Sequence, residues 1–286
     1  MATSVLGLKT FAASDPVDYN EINDNYNKID NGVKTALQGR AAHNLLDNSW
    51  FVNPVNQRGR TSYTGVANAS VYTIDRWLFS WQGGAVLTVG DGYIQHNGYK
   101  LQQYFEKSLD TNKTYTAALC LTDGTIYVYS GKPSDGFGSW DNTIWVSSSY
   151  FRIEKGMAQP IKWAALYEGS YDASTLPAYQ PKGYAAELAE CMRYYRRFIN
   201  SAPAMSIAAT AIEAEMPLEP PMRVVPTITI NSVGSAYTPE GAKSVSGSYS
   251  ATNTVNKAGY VFYTPSIGIG LPCVITGIDG YLSADL

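Results

Sequence analysis

The sequence predicts a mainly β protein in which two strand-rich regions are separated by one helix. Between positions 44 and 180, short apolar and aromatic runs alternate with polar residues, and turn signals recur between the runs. Asp123-Gly124, which lies between two such runs, is a strong signal for a two-residue β-hairpin loop. Many short strands at such spacing are typical of a two-sheet β-sandwich.

Residues 1–43 are predicted to form an attachment segment that contains one short helix. Asp15 can cap this helix at Pro16, and apolar residues then recur at steps of three and four, as in the seam of a coiled coil. The seam predicts contacts between chains through Tyr19, Ile22, Tyr26, Ile29, Val33 and Ala36. So short a helix is marginal without a partner. Two alternatives stay open: the helix folds onto its own chain, or it ends early at Asn31-Gly32.

Residues 44–182 are predicted to form the sandwich. Trp77, Phe79 and Trp81 alternate with other residues and are expected to share one face of a strand. Further strands are expected near residues 115–121, 143–147, 150–154 and 161–168. Asp75 is expected to pair with Arg76, and these charges, together with Arg58, are expected to steady the opening strands.

The segment 130–142 interrupts the strand pattern with three glycines, one proline and two large aromatic residues. If Phe137 and Trp140 are exposed there, they offer flat faces on which sugar rings stack. Polar residues around them would then bond the sugar hydroxyls, and the candidates are Lys132, Asp135, Asp141 and Asn142. The alternative is that both aromatic residues anchor the loop to the core.

Residues 183–202 are predicted to form an amphipathic linking helix, which follows Pro181. Its apolar stripe is Tyr184, Leu188, Cys191, Met192, Tyr195 and Ile199. Glu187 is expected on the opposite, polar side. The sequence therefore predicts a helix that docks on a sheet through Leu188 and its neighbours.

Residues 203–286 are predicted to form a small distal β domain with strands at 227–233, 260–264, 271–276 and 280–286. A domain of this size is marginal alone, which favours burial between three copies of the chain. Residues 234–257 are expected to be loops at a distal tip. Tyr237 and Tyr249 in that run are candidates for receptor contact, with ordinary solvated loop residues as the alternative.

The composition argues against several functional classes. The net charge is −3 and there is no basic run, which disfavours a nucleic-acid-binding surface. The three cysteines are too widely spaced for a disulfide framework or a zinc site, so they are expected to be reduced core residues. No apolar run approaches the roughly 20 residues that a membrane span needs. The 22 tyrosines suit a recognition surface, although β-sheets favour aromatic residues in any case.

Catalytic motifs are missing from the sequence. The two histidines are isolated, and no metalloprotease, nucleophile-elbow, phosphate-loop or dinucleotide-binding signature occurs. The sequence therefore predicts a protein that is not an enzyme and needs neither cofactor nor metal. Because 24 acidic residues leave room for a pair of catalytic carboxylates, a glycosidase remains an alternative.

Several short motifs occur in a fixed order along the chain. They are Asn44-Leu45-Leu46, Asn56-Gln57-Arg58-Gly59, Ile74-Asp75-Arg76-Trp77, and then Pro181, Glu187-Leu188, Cys191 and Arg193-Tyr194-Tyr195. In this order they resemble bacteriophage and prophage tail-fibre and receptor-binding proteins over roughly residues 44–200. Residues 222–229 and 280–286 look like the first and last strands of the distal domain that often follows in such fibres.

The resemblance implies a homotrimeric fibre with a threefold helical bundle and a jelly roll similar to carbohydrate-binding modules. It also implies that the N-terminal segment attaches to other phage tail or baseplate proteins, and that the fibre binds host surface polysaccharide without inserting into the membrane. Such a protein is made in the bacterial host cytoplasm and resides in the virion tail. Two alternatives remain: a purely structural tail-tip or baseplate component, and a capsule-degrading depolymerase.

Overall fold

The computed structural model describes residues 18–41, 43–245, 249–264 and 267–285. In this part the protein is mainly β, as predicted, with antiparallel sheets and two helices, α1 (Tyr19–Ala41) and α2 (Tyr184–Cys191). No helix in the described ranges has the length and apolarity required to cross a bilayer.

Helix α1 follows Asp18, whose side-chain oxygen Oδ1 accepts the backbone N–H of Asn20 at 2.8 Å. The helix runs through Gly32 to Ala41, so the alternative of an early end at Asn31-Gly32 is wrong. The predicted cap at Asp15-Pro16 lies outside the described residues. A helix of 23 residues therefore precedes the first sheet.

The central unit, residues 44–182, consists of two six-stranded antiparallel sheets. In chain order its strands are β1 (Ser62–Thr64), β2 (Ser70–Tyr72), β3 (Leu78–Ser80), β4 (Val86–Gly90), β5 (Tyr93–Asn97), β6 (Tyr99–Tyr104), β7 (Tyr115–Leu121), β8 (Ile126–Gly131), β9 (Phe137–Gly138), β10 (Ile144–Val146), β11 (Tyr150–Lys155) and β12 (Ile161–Glu168). The first sheet has the order β1-β4-β5-β12-β7-β8, and the second has the order β2-β3-β6-β11-β10-β9. The hairpin predicted at Asp123-Gly124 is confirmed, since it joins β7 to β8 with Gly124 at φ 91°.

Both sheets contribute to one apolar core. Leu119 from the first sheet, and Phe79 and Ile153 from the second, are fully buried in it, together with Trp77. The prediction that Trp81 shares their face is wrong. Its backbone lies at φ 59°, which breaks the strand alternation, and its side chain is 63 % exposed.

A strap, residues 169–181, covers the outer face of the first sheet. Trp163 and Tyr167 point away from the main core and pack in a second apolar cluster with Tyr171, Leu176 and Tyr179 of the strap. The Tyr179 ring stacks on the Trp163 ring with centroids 4.9 Å apart. Strand β7 is therefore buried on both sides.

Helix α2 is confirmed for residues 184–191, but the prediction of a longer helix is wrong. Tyr195 and Ile199 lie in a strand that begins three residues after Met192. The predicted positions of two neighbouring residues are also wrong. Glu187, expected on the polar side, is buried and accepts the backbone N–H of Asn48, whereas Leu188, expected to dock, is only partly buried. The helix docks through Cys191 of the predicted stripe, which is fully buried, and through the polar bond of Glu187 to a loop, which the apolar pattern could not reveal.

The distal unit is one eight-stranded sheet. Its strands are β13 (Tyr195–Ala208), β14 (Ala211–Pro217), β15 (Thr227–Ser232), β16 (Ser235–Thr238), β17 (Gly241–Ser244), β18 (Tyr249–Thr254), β19 (Lys257–Tyr263) and β20 (Pro272–Ser283). The order is β17-β16-β20-β13-β14-β19-β18, with β15 also paired to β20. The prediction of loops over residues 234–257 is wrong, because β16, β17 and β18 occupy most of that run. Strand β14 was not predicted from the sequence.

Charged residues join the two units. Arg58 donates to Asp75 at 2.9 Å and to Asp285 of the distal unit at 2.8 Å. The predicted pairing of Asp75 with Arg76 is wrong, because Arg76 pairs with Asp47 at 3.1 Å. Burial raises the pKa of Asp75 to about 6, although the Arg58 charge opposes the shift.

The three cysteines lie apart in the fold. Cys120, Cys191 and Cys273 are all buried and free, as expected for reduced core residues.

Candidate functional site

The outer face of the second sheet carries polar and aromatic side chains at its centre. Phe151 and Ile153 of β11 point into the core, so the residues that alternate with them point outward. We call the outward set the open face, and it consists of Gln102 and Tyr104 from β6, Trp145 from β10, Tyr150, Arg152 and Glu154 from β11, and Trp140 from the turn before β10.

A row of polar groups crosses the middle of the open face. Arg152 lies between Gln102 on one neighbouring strand and Trp145 on the other. Its Nε donates to Gln102 Oε1 at 3.0 Å, and its Nη1 donates to Glu154 Oε1 at 3.2 Å. The guanidinium is therefore fixed in direction by two side chains of its own sheet.

The polar row has spare hydrogen-bonding capacity. Gln102 and Glu154 are 0 % exposed, yet Gln102 Nε2 and Glu154 Oε2 have no hydrogen-bond partner within the described part of the chain. Burial raises the pKa of Glu154, while the Arg152 charge lowers it. Buried polar atoms are nearly always paired in folded proteins, so these two atoms are exceptions within the described residues, as are the ring nitrogens of His96.

Aromatic rings surround this row. The Arg152 guanidinium lies 4.3 Å from the Tyr150 ring centroid and 5.7 Å from that of Trp140. The Trp140 and Trp145 rings meet edge to face with centroids 5.0 Å apart, and Tyr104 meets Tyr150 in the same way at 6.2 Å. Trp140 remains 49 % exposed, so part of its surface is free for a ligand.

A tight turn between β9 and β10 positions Trp140. The Ser139 N–H donates to the Ile144 carbonyl at 2.7 Å, and Asp141 adopts φ 59°. At Gly138, φ is 123°, and a Cβ there would lie 2.1 Å from the Ile144 carbonyl oxygen. Only glycine fits at this position, so the close approach of the two strands depends on it.

The candidate residues of the predicted loop 130–142 differ in burial and position. Phe137 is buried in the core, as the loop-anchoring alternative expects, so it cannot act as an exposed stacking residue. Trp140 lies on the open face, and the Asp141 charge acts on the Glu154 carboxyl group. Three further candidates, Lys132, Asp135 and Asn142, are exposed on the same segment.

The other predicted contact residues lie in the distal unit and in α1. Tyr237 is 57 % exposed but belongs to strand β16, and Tyr249 begins strand β18; the Tyr249 side chain is not among those described. On α1, Tyr19, Tyr26 and Ile29 are exposed and Ile22 is partly buried. The side chains of Val33 and Ala36, the last two residues of the predicted seam, lie outside the described set.

Sequence reasoning missed most of the open face. Gln102, Trp145 and Arg152 were not among the candidates, although each alternates with core residues in its strand. The alternation in the run 150–154 was a usable signal, because Arg152 falls at a position that faces away from the core. What the pattern could not show is that β6, β10 and β11 are neighbours.

Among the described residues, no group of three or more histidine, cysteine, aspartate or glutamate side chains is arranged to hold a metal ion. No protein-family model matches the chain, and comparisons with curated proteins and with solved structures also give no match.

Proposed function

We propose that the protein is a phage tail-fibre or receptor-binding subunit that binds a host cell-surface glycan through the open face. The observation that carries the proposal is the combination of exposed Trp140 with the Gln102–Arg152–Glu154 row. Sugars present apolar C–H faces and a rim of hydroxyl groups, which suit an aromatic ring beside planar polar side chains. The motif order along residues 44–200 supports the assignment to tail fibres.

The charges of the open face favour a neutral sugar. Arg152 and Glu154 are ion-paired at 3.2 Å, so neither side chain offers a free charge. A sugar hydroxyl can donate to Glu154 Oε2 and accept from Gln102 Nε2, the two atoms without partners. Because both atoms are covered, side chains at the rim must shift slightly before a ligand reaches them.

For the central unit we propose a jelly roll of the carbohydrate-binding type. Two pairings between strands distant in the chain support this topology: β5 pairs with β12 in the first sheet, and β6 pairs with β11 in the second. Such nested pairs are a feature of strands wound as Greek keys.

We further propose a homotrimer, with a coiled coil formed by α1. The exposure of Tyr19, Tyr26 and Ile29 supports it, because apolar residues at heptad spacing that are exposed in the described chain are typical of a seam covered by another helix. The outer face of the distal sheet also exposes apolar residues, including Met205, Tyr237 and Val274. Val274 pairs directly with Tyr237, so these side chains are neighbours. Exposed apolar patches commonly mark interfaces.

In this proposal the protein resides in the virion tail, and the segment 1–43 attaches it to another tail or baseplate protein. A structural tail-tip component would have the same fold without a ligand.

One observation favours the depolymerase alternative: the Asp141 and Glu154 carboxyl groups are near enough to influence each other, and glycosidases use two carboxylates. The ion pair of Glu154 with Arg152 argues against that role.

A glycan array probed with the intact protein tests the proposal, followed by titration of the best neutral glycan. Trp140→Ala should weaken binding about tenfold, which corresponds to about 1.4 kcal/mol. Trp81→Ala is the matched control, because it removes another exposed tryptophan, which directly follows β3, a strand separated from β10 by β6 and β11. Equal losses in both variants, or none in either, would overturn the proposed site.

Two further measurements address the remaining parts of the proposal. Light scattering should report about three times 31.1 kDa, and a monomer at micromolar concentration would contradict the trimer. Release of new reducing ends from the bound polysaccharide would instead support the depolymerase.

A further inference from the structure

A cleft of about 740 Å³ lies between the central and distal units, and both contribute to its walls. Arg60 and Tyr72 come from the central unit, and Arg197, Asp279 and Tyr281 come from the distal sheet. Its volume is within the range of small-molecule sites. None of these residues belongs to the open face.

We propose that this cleft is a second ligand site, which binds a saccharide unit carrying a carboxylate or a phosphate group. The proposal goes beyond the glycan binding assigned to the open face, and either site can exist without the other.

The charges in the cleft favour an anionic ligand. Three arginines line it, against the carboxylates of Asp279 and Asp285. Arg58 is already paired on both sides, and Arg197 lies 3.4 Å from Asp279, a long contact at the exposed edge. Arg60 is exposed and has no acidic partner within the described parts of the chain. Arg60 and Arg197 can therefore bind an anion while the protein as a whole is negative.

The cleft also has a rigid aromatic wall. Tyr195 and Tyr281 stack with centroids 5.4 Å apart, and the Arg58 guanidinium lies 3.9 Å above the Tyr195 ring and 5.1 Å above the Tyr72 ring. Because Arg58 is held by Asp75 and Asp285, the rings around it are held as well. Tyr195 is buried, whereas Tyr72 and Tyr281 are partly exposed. These two rings, next to cationic side chains, match a sugar ring that bears an acidic group.

Calorimetric titration of the full-length chain with four probes tests this site. Glucuronate and glucose 6-phosphate are the acidic sugars, glucose is the neutral sugar, and inorganic phosphate is the anion alone. We expect at least one acidic sugar to bind at least tenfold more tightly than glucose and than inorganic phosphate. The acidic sugar that binds more tightly identifies the ligand as a carboxylate or a phosphate ester.

Charge-neutral variants locate the site. Arg60→Gln and Arg197→Gln should each weaken binding of the acidic sugar about fivefold or more. Lys113→Gln is the matched control, because Lys113 is an exposed cation that pairs with Glu168 on the first sheet, and its removal changes the net charge equally. A melting curve for each variant shows whether it has folded. If Arg197→Gln does not fold, Arg60→Gln still tests the site, because Arg60 is exposed.

Five results would overturn the proposal. The first four are the absence of binding by both acidic sugars at millimolar concentration, equal binding of glucose, equal binding of inorganic phosphate, and equal weakening by Lys113→Gln. Trp140→Ala must leave this binding unchanged. A loss in that variant would assign the acidic sugar to the open face and reject the cleft as its site.

Discussion

The outer faces of the two sheets in the central unit differ in what covers them. The first sheet carries an apolar cluster that the strap seals with stacked rings of Trp163 and Tyr179. The second sheet carries Arg152, Gln102 and Glu154 with a rim of aromatic rings, and Trp140 at that rim is half exposed. The first face is thus covered by the chain itself, whereas the second leaves part of its aromatic rim exposed.

This difference shows how two sheets with the same number of strands come to have different outer surfaces. Aromatic residues are present on both outer faces, so their number does not distinguish the faces. The distinction comes from the partners of the rings: on the first sheet they pack on each other and on alanines, and on the second they surround polar atoms. Three predictions test whether the two faces differ in this way.

The largest expected effect is on stability. Trp163→Ala should lower the free energy of unfolding by about 3 kcal/mol, because it removes a buried ring between the sheet and the strap. Trp145→Ala, the same change on the open face, should cost about 1 kcal/mol or less, since Trp145 is only partly buried. Urea denaturation of both variants measures the difference. Equal costs would mean that the open face is a packing surface too.

A second effect concerns the strapped face at alkaline pH. Burial raises the pKa of Tyr167 to about 12, so between pH 10 and 12 the unfolded chain loses a proton that the folded chain keeps. The resulting stabilisation is complete below pH 10 and is lost as the pH rises through 12. In Tyr167→Phe, the free energy of unfolding should fall less steeply with pH than in the unmodified protein, by about 1 kcal/mol per pH unit. Denaturation at pH 9 to 11 measures this slope. An unchanged slope would show that Tyr167 reaches solvent.

The smallest effect concerns the open face at acidic pH. Burial raises the pKa of Glu154, so the folded protein favours the protonated carboxyl group. This preference contributes fully to the free energy of unfolding below the ordinary glutamate pKa, and the contribution is lost as the pH rises through the raised pKa. Glu154→Gln should remove this dependence in the pH range that begins at the ordinary glutamate pKa and extends above it. The change should be smaller than that at Tyr167, because the Arg152 charge offsets part of the burial. A steeper pH dependence in the variant would contradict the assignment.

Local signals in the sequence predicted several features correctly. Asp123-Gly124 specified its hairpin because glycine tolerates the positive φ that the turn requires. The heptad spacing predicted α1, and the core positions of Trp77 and Phe79 followed from strand alternation. These features depend on residues close together in the chain, so the pattern was sufficient.

Features that depend on distant residues were missed. Leu188 appeared to be the docking residue of α2, but Glu187 is buried because it accepts the backbone N–H of Asn48, 139 positions away. Arg152 becomes part of a site only because β11 lies between β6 and β10. The strands between residues 234 and 257 are rich in serine and glycine, and they form because neighbouring strands provide hydrogen bonds rather than because of their own propensity.

The ion pair between Arg58 and Asp285 spans 227 positions of the chain. Contacts of such high separation close a very large loop, and the ion pair offsets part of the chain entropy that this closure costs. A hydrogen bond from Gln57 Nε2 to the Tyr195 carbonyl joins the same two units. Removal of the Asp285 carboxylate would therefore leave Arg58 paired with Asp75 alone and would take away one of the ties that hold the distal sheet against the central unit.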